Sequence, residues 1–268
     1  MQAEERQRRI GEYLQKVEFA SLDELSELVD ASSSTVRRDL TLMEGKGVVQ
    51  RTHGGARLVN PRSEEFNFSA RDTRQLEEKE TIGRLCASLV ETNQSVIIDA
   101  GTTCYHVARQ LESKLPYIIT NSLPVANLFA ATNQLEVVVS GGVIYPRLGV
   151  LVGPLAVESF TKLRADVAIL SAGGITPEGI TNSHGLLIDI QRAMMQAARR
   201  IIFCLDHSKF GRQSVSFLCG LDEVDAVVTD AQAPPDQVAA LREAGVEVIM
   251  PMKNEEGRMQ KAQDAVER

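Results

Sequence analysis

Two groups of residues in this 268-residue chain have types and spacing suited to chemistry. The first is a run of hydroxyls and guanidinium groups: Ser32, Ser33, Ser34 and Thr35, then Arg37, Arg38 and Thr41, and further on Arg51, His53 and Arg57. Arginine can bond guanine O6 and N7 together, and short hydroxyls reach bases or phosphates, so this mixture suits a surface that reads a duplex. The second group consists of small polar residues, each set following a short apolar run. They are Asp99 with Gly101, Thr102 and Thr103, then Asn121 with Ser122, Gly141 with Gly142, Gly173, and Asp206 with Lys209. Glycine lets backbone N–H groups approach an anion, hydroxyls donate to it, and Lys209 adds a point charge. Asp99 and Asp206 can accept from sugar hydroxyls. The chemistry is that of binding a small phosphorylated metabolite, with no cofactor called for. His106, His184 and His207 are not spaced as metal ligands. His106 is expected on a helix as a satisfied surface or groove residue, and His184, in a Gly-rich loop, as a candidate ligand contact.

The elements that must hold the first group are helical. Ile10, Leu14 and Val17 share one face of a helix predicted over 4–16. Ser21 and Glu24 form a capping box for a second helix with Leu22, Leu25, Leu28 and Val29 buried. Asp30-Ala31-Ser32 makes a short turn, where Asp tolerates the left-handed conformation. A third helix starts at Ser32 or Ser33, buries Val36, Leu40 and Met43, and ends at Gly45 and Gly47. At ~100° per residue from Val36, Ser34, Thr41 and Arg38 fall near ~160°, ~140° and ~200°, and Arg37 near ~100°. Asp39 falls near ~300°, away from that face. Strands over 48–51 and 56–59, with glycine supplying positive φ in the turn 52–55, complete a winged helix-turn-helix plan.

The second group sits on alternating strands and helices. A helix is predicted over 77–91 with Ile82, Leu85, Leu89 and Val90 buried. Apolar runs at 96–98, 117–120, 137–139, 167–170, 201–205, 226–229 and 246–249 read as strands of a largely parallel sheet covered on both faces. In such sheets ligands bind outside the carboxyl ends of the strands, where these polar residues fall. The expected organisation is a DNA-binding domain over 1–59, a linker over 60–75 carrying Pro61, and an α/β domain over 76–268. Phe66 and Phe68 are expected to dock on one of the domains.

The net charge of −7 argues against a generic nucleic-acid binder. Between Ser32 and Val59, however, five bases face two acids, a local +3. Four cysteines without CxxC spacing read as free thiols of a reducing cytoplasm. The charged first ten residues have no apolar signal-peptide core, and no apolar run is long enough for a membrane span.

Ser34-Thr35-Val36-Arg37-Arg38-Asp39-Leu40, Leu42-Met43-Glu44, Gly47 and Arg51-Thr52-His53-Gly54-Gly55-Ala56 together resemble the DeoR family of bacterial transcriptional regulators. The resemblance continues through Asp99-Ala100-Gly101-Thr102-Thr103, Ile119-Thr120-Asn121-Ser122, Gly141-Gly142, Gly153-Pro154 and Asp206-His207-Ser208-Lys209-Phe210-Gly211, covering about 4–250. It implies a winged helix-turn-helix fused to a sugar-phosphate-sensing domain similar in fold to ribose-5-phosphate isomerase. It also implies a repressor of carbohydrate metabolism acting on a double-stranded DNA operator. Dimeric or higher homo-oligomeric assembly is expected from paired half-site reading. Two departures stand out. Asp30 occupies a position where the family usually has Gly. Leu187 and Gln191 stand where it commonly has an acidic residue and a Lys, which suits a different effector if those positions touch one. An isomerase is the alternative, but the isomerases carry acids in the loop corresponding to Ser171-Ala172-Gly173-Gly174-Ile175, which here has none.

Overall fold

The computed structural model describes residues 3–14, 17, 19–46, 48–52, 54–58, 68–130 and 135–251. The chain divides into two compact units, Met1–Asn67 and Phe68–Arg268.

In the first unit, α1 (Ala3–Leu14), α2 (Leu22–Val29) and α3 (Ser33–Gly45) enclose a small core of Ile10, Leu14, Leu25, Val29, Val36, Leu40 and Met43. Helical spacing places these residues on facing stripes. Burying each large side chain contributes about 1.5–3 kcal/mol. The capping box at Ser21 is formed: Ser21 Oγ accepts from Glu24 N at 3.2 Å, and Ser21 N donates to Glu24 Oε2 at 2.7 Å. Asp30 caps α2 in the left-handed conformation, at φ 47° and ψ 55°. Strands β1 (Ala20–Ser21), β2 (Val49–Thr52) and β3 (Gly55–Leu58) pair antiparallel in the order β1-β3-β2. Gly55 departs from the expected reason for its presence. Its φ is not positive, but a Cβ there would fall 2.0 Å from the Ala20 carbonyl oxygen. Close approach of β1, not turn geometry, requires glycine at that position. Gly47, His53 and Val59 lie outside the described residues.

The second unit is built on a seven-stranded, wholly parallel sheet in the order β15-β14-β12-β9-β4-β5-β6. Its strands are β4 (Ser95–Ile98), β5 (Tyr117–Thr120), β6 (Val137–Val139), β9 (Ala165–Leu170), β12 (Ala198–Cys204), β14 (Ala226–Val228) and β15 (Glu247–Ile249). The chain enters at β4, builds outward through β5 and β6, then returns to add β9, β12, β14 and β15 on the other side. The order therefore reverses between β4 and β9. Helices α5 (Leu76–Ser88), α6 (Thr102–Ala108), α7 (Leu123–Ala130), α8 (Pro154–Thr161), α9 (Gly185–Ala197) and α10 (Pro235–Glu243) accompany the strands. The core includes Ile82, Val96, Ile98, Ile118, Phe129, Ile169 and Ile202.

Five features differ from the sequence expectation. Leu22 and Leu28 are half-buried at the edge of the first unit's core rather than buried in it. Residues 68–75 are not linker. Helix α4 (Phe68–Asp72) belongs to the second unit, where the Phe68 ring meets Tyr105 edge-on at 5.6 Å. Phe66 lies outside the described residues. His106 is not a surface residue: it is 2% exposed, and its Nε2 is 3.0 Å from Asp72 Oδ1. Leu85 and Leu89 are half-buried against the margin of the core rather than buried in it. Finally, two small antiparallel assemblies were not foreseen: β7 (Val143–Tyr145) with β8 (Val150–Val152), and β10 (Gly174–Thr176), β11 (Gly179–Asn182) and β13 (Ser216–Cys219). Their strands are short and their apolar pattern is indistinct.

Candidate nucleic-acid interface and effector site

The cationic face of α3 is built from its N-terminus. Ser32 is the N-cap, its Oγ accepting from Thr35 N at 3.3 Å and lying 2.9 Å from both Ser34 Oγ and Thr35 Oγ1. Ser33 is half-buried and turns toward α2, accepting from Ser26 Oγ at 3.4 Å. Ser34, Arg37, Arg38 and Thr41 are exposed. The guanidinium groups of Arg37 and Arg38 have no side-chain partner among the described residues. The wing arginines are held by protein. Arg51 pairs with Glu44 (Nε–Oε2 3.4 Å) and donates to Thr41 Oγ1, while Arg57 Nε donates to Gln50 Oε1 at 2.9 Å. A groove of about 410 Å³ lined by Arg37, Glu44, Arg51 and Gly54 lies between α3 and the wing.

Asp39 is buried at 3% exposure. Arg6 of α1 grips it through Nε at 2.7 Å and Nη2 at 3.2 Å, and Gln7 Nε2 donates at 3.2 Å. This bidentate pair fastens α1 to α3 and withdraws the carboxylate from the face presented by Arg37 and Arg38. Sequence periodicity placed Asp39 off that face but did not find its partner.

In the second unit, the parallel strands bring the expected polar residues to one edge of the sheet. At the reversal between β4 and β9, Asp99 Oδ2 accepts from Ser171 N at 3.1 Å, Ser171 Oγ at 3.3 Å and Gln191 Nε2 at 2.9 Å. Burial pushes the Asp99 carboxyl up from the usual range, against the opposing pull of these donors. Gly101 is pressed so closely on Ser171 that a Cβ would lie 1.8 Å from Ser171 Oγ. Thr102 and Thr103 follow it, both buried. Gln191 is a hub: its Nε2 also donates to Ser171 O at 2.8 Å, and its Oε1 accepts from Asn182 Nδ2 at 2.9 Å.

At the end of β5, Asn121 and Ser122 are fully buried. Asn121 Nδ2 donates to Leu151 O at 3.1 Å. Asn121 Oδ1 is buried without a hydrogen-bond partner, as are Ser140 Oγ after β6 and Thr229 Oγ1 after β14. Gly141 and Gly142 lead into β7, and Gly173 leads into β10. After β12, Asp206 is buried and caps its own turn by accepting from Ser208 N at 3.0 Å, while Lys209, three residues after Asp206, is half-buried.

Cations missed by the sequence reading line the same region. Lys79 of α5 is 4% exposed and donates to the carbonyls of Arg71 and, at 2.5 Å, Arg74. Burial lowers its pKa to about 8, although Asp206 and Asp72 oppose the shift. Arg71 on α4 is also pulled below its ordinary value by burial, with Asp99 and Asp72 the nearest opposing charges. His184 is held low first by burial, then by Arg71 and Arg147. A lysine in a 3.6-residue pattern looks like an ordinary solvated helix charge, which is why Lys79 gave no signal.

Family models match both parts of the chain. Residues 6–62 match the DeoR-like helix-turn-helix domain, and residues 74–231 match the DeoR C terminal sensor domain. The chain belongs to the DeoR family of transcriptional regulators. Among its DeoR-type relatives is the HTH-type transcriptional regulator GolR of Listeria innocua, 31% identical over 91% of this chain and 97% of that protein. The HTH-type transcriptional repressor GlcR of Bacillus subtilis is 31% identical over 95% and 99%. The glycerol-3-phosphate regulon repressor of Escherichia coli is 31% identical over 92% and 99%. This DeoR-family chain is thus a DNA-binding regulator and not an enzyme. Ribose 5-phosphate isomerase A of Methanocaldococcus jannaschii aligns over 51% of this chain and 55% of that one, at 14% identity and a TM-score of 0.38. No helix among the described residues is long and apolar enough to cross a membrane.

Proposed function

We propose that this regulator represses a carbohydrate-metabolism operon and that a small phosphorylated metabolite alters its grip on the operator. On this reading α3 enters the major groove with Ser34, Arg37, Arg38 and Thr41 toward the bases. Ser32 and Thr35 at the helix start, with Arg51, His53 and Arg57 of the wing, are assigned to the sugar-phosphate backbone; Ser33, turned toward α2, serves it through its backbone N–H at the helix start. The chain acts in the cytoplasm as a homodimer or higher homo-oligomer, each copy reading one half-site.

The observation that carries the effector reading is the strand-order reversal between β4 and β9, with Asp99, Gly101, Ser171 and Gln191 gathered at its carboxyl edge. Ligands of open α/β sheets bind outside such a reversal. The unpartnered buried oxygens of Asn121, Ser140 and Thr229 support it, since such atoms cost free energy until something bonds them. Thr102, Thr103, Ser122, Gly141, Gly142 and Gly173 complete the lining. Asp206 accepts from hydroxyls and Lys209 faces the anion. The effector changes DNA binding only as far as it binds the competent and incompetent states unequally.

Footprinting on the region upstream of the protein's own gene, with and without a panel of triose, pentose and hexose phosphates, tests this. One phosphate ester is expected to change protection of a specific site. The Lys209→Ala variant is expected to keep the footprint and lose the response. Specific protection that no sugar phosphate alters would remove the effector assignment.

A further inference from the structure

Helix α3 carries two carboxylates, and only one of them is withdrawn from the face presented by Arg37 and Arg38. Asp39 is buried under Arg6, whereas Glu44 is exposed. At ~100° per residue Glu44 falls near ~80° from Val36, beside Arg37 and one turn beyond Thr41. A free carboxylate at that place would meet the phosphates of a docked duplex and repel them.

Glu44 is not free. Its Oε1 accepts from the Arg51 backbone N at 2.9 Å, and its Oε2 lies 3.4 Å from Arg51 Nε. Arg51 Nη1 donates to Thr41 Oγ1, which itself donates to the Arg37 carbonyl at 2.8 Å. One carboxylate therefore holds both the main chain and the side chain of a β2 residue against the last turns of α3. The two side chains are 42% and 43% exposed, so the pair adds little to the stability of the fold. Its effect is geometric and electrostatic. Guanidinium has five N–H donors; these contacts engage Nε and Nη1 and leave Nη2 for another acceptor. Across the hairpin Arg57 leans on the neutral Gln50 amide and keeps its full charge, whereas Arg51 and Glu44 cancel.

We propose that Glu44 is a specificity-determining residue that acts by positioning Arg51. It fixes the guanidinium on α3, so that Nη2 meets a backbone phosphate only when α3 is seated in register on the operator. On any other duplex the charge of Arg51 stays cancelled by Glu44. Glu44 thereby lowers non-specific attraction and raises the ratio of operator binding to random binding. This rests on the reading of α3 and the wing as the DNA surface given above.

The test titrates the full chain by fluorescence anisotropy against two duplexes of equal length, the operator found by footprinting and a random sequence, over about 50 to 200 mM salt. Glu44→Gln keeps the oxygen that receives Arg51 N and loses the charge that holds the guanidinium. Its operator affinity is expected to fall about three- to tenfold, with no fall on the random duplex. The slope of log K against log salt on the random duplex is expected to steepen by about one, as the released Arg51 joins the phosphates. Arg51→Gln is expected to lower operator affinity by itself, and adding Glu44→Gln to it is expected to leave the operator-to-random ratio where it was. An equal fall on both duplexes with the slope unchanged is what a merely structural role gives, and overturns the proposal. So does a wild-type ratio and slope in Glu44→Gln. A ratio that falls as far in the Arg51→Gln background overturns it too, since Glu44 would then meet a base itself, as a carboxylate can at cytosine N4. Wild-type operator affinity in Arg51→Gln overturns both this role and the place of Arg51 on DNA. A wild type that prefers no promoter fragment overturns the DNA-surface reading beneath it.

Discussion

Among the described residues, Arg37 and Arg38 of the recognition helix have no side-chain acceptor, unlike the wing arginines. Arg51 and Arg57 already spend their hydrogen bonds on Glu44, Thr41 and Gln50. The first pair is therefore free to read DNA without breaking a protein contact. Replacing Arg38 by Ala is expected to weaken operator binding by roughly 1–3 kcal/mol, and unchanged affinity in a gel-shift titration would remove Arg38 from the bases. His106 supplies a residue-scale prediction in the second unit. Burial holds its pKa below the ordinary value, with Asp72 opposing only in part. Between the folded pKa and about 6.5 the unfolded chain holds the extra proton, so stability falls as pH drops through that window. His106→Gln is expected to flatten the loss of stability between pH 7 and 5.5, measured by denaturant unfolding. An unaltered slope would place the titration elsewhere.

The recognition helix depends on a partner far from it in sequence. Arg6 and Asp39 join α1 to α3, and a buried carboxylate left without its guanidinium is poorly tolerated. The double variant Arg6→Leu/Asp39→Leu is expected to unfold at a higher temperature than Asp39 left alone in Arg6→Leu. The reverse order would mean the pair is not coupled. The turn before α3 makes a different demand. Asp30 sits at φ 47°, where a β-branched residue is strained. Asp30→Val is expected to cost about 1–2 kcal/mol, whereas Asp30→Gly should fold at least as readily.

For the molecule as a whole, net charge and local charge point in opposite directions. The chain carries −7 overall, yet α3 and the wing present the cations. Binding should therefore be confined to one face and should fall steeply with salt, log K declining linearly with log salt as phosphate counterions are released. If two copies read two half-sites, protection should appear as a pair of inverted sequences about 34–36 Å apart or a multiple of it. A single unpaired half-site bound at full affinity would argue for a monomeric reader.

Much of this architecture was legible one segment at a time. The Ser21 capping box, the left-handed Asp30, the buried stripe of α3 and seven parallel strands depend on neighbours within a few residues, so composition and period reveal them. The polar residues at the strand ends were visible for the same reason: each closes its own apolar run. Pairing across the fold was not visible. Arg6 meets Asp39 across 33 positions, Ser171 meets Asp99 across 72, and Gln191 meets Asp99 across 92. Arg71 falls in what the sequence reads as linker, yet it is half-buried on α4, and Lys79 of α5 is buried. A charged side chain has the same local signature whether water or protein surrounds it, and long-range packing alone settles which of the two it meets.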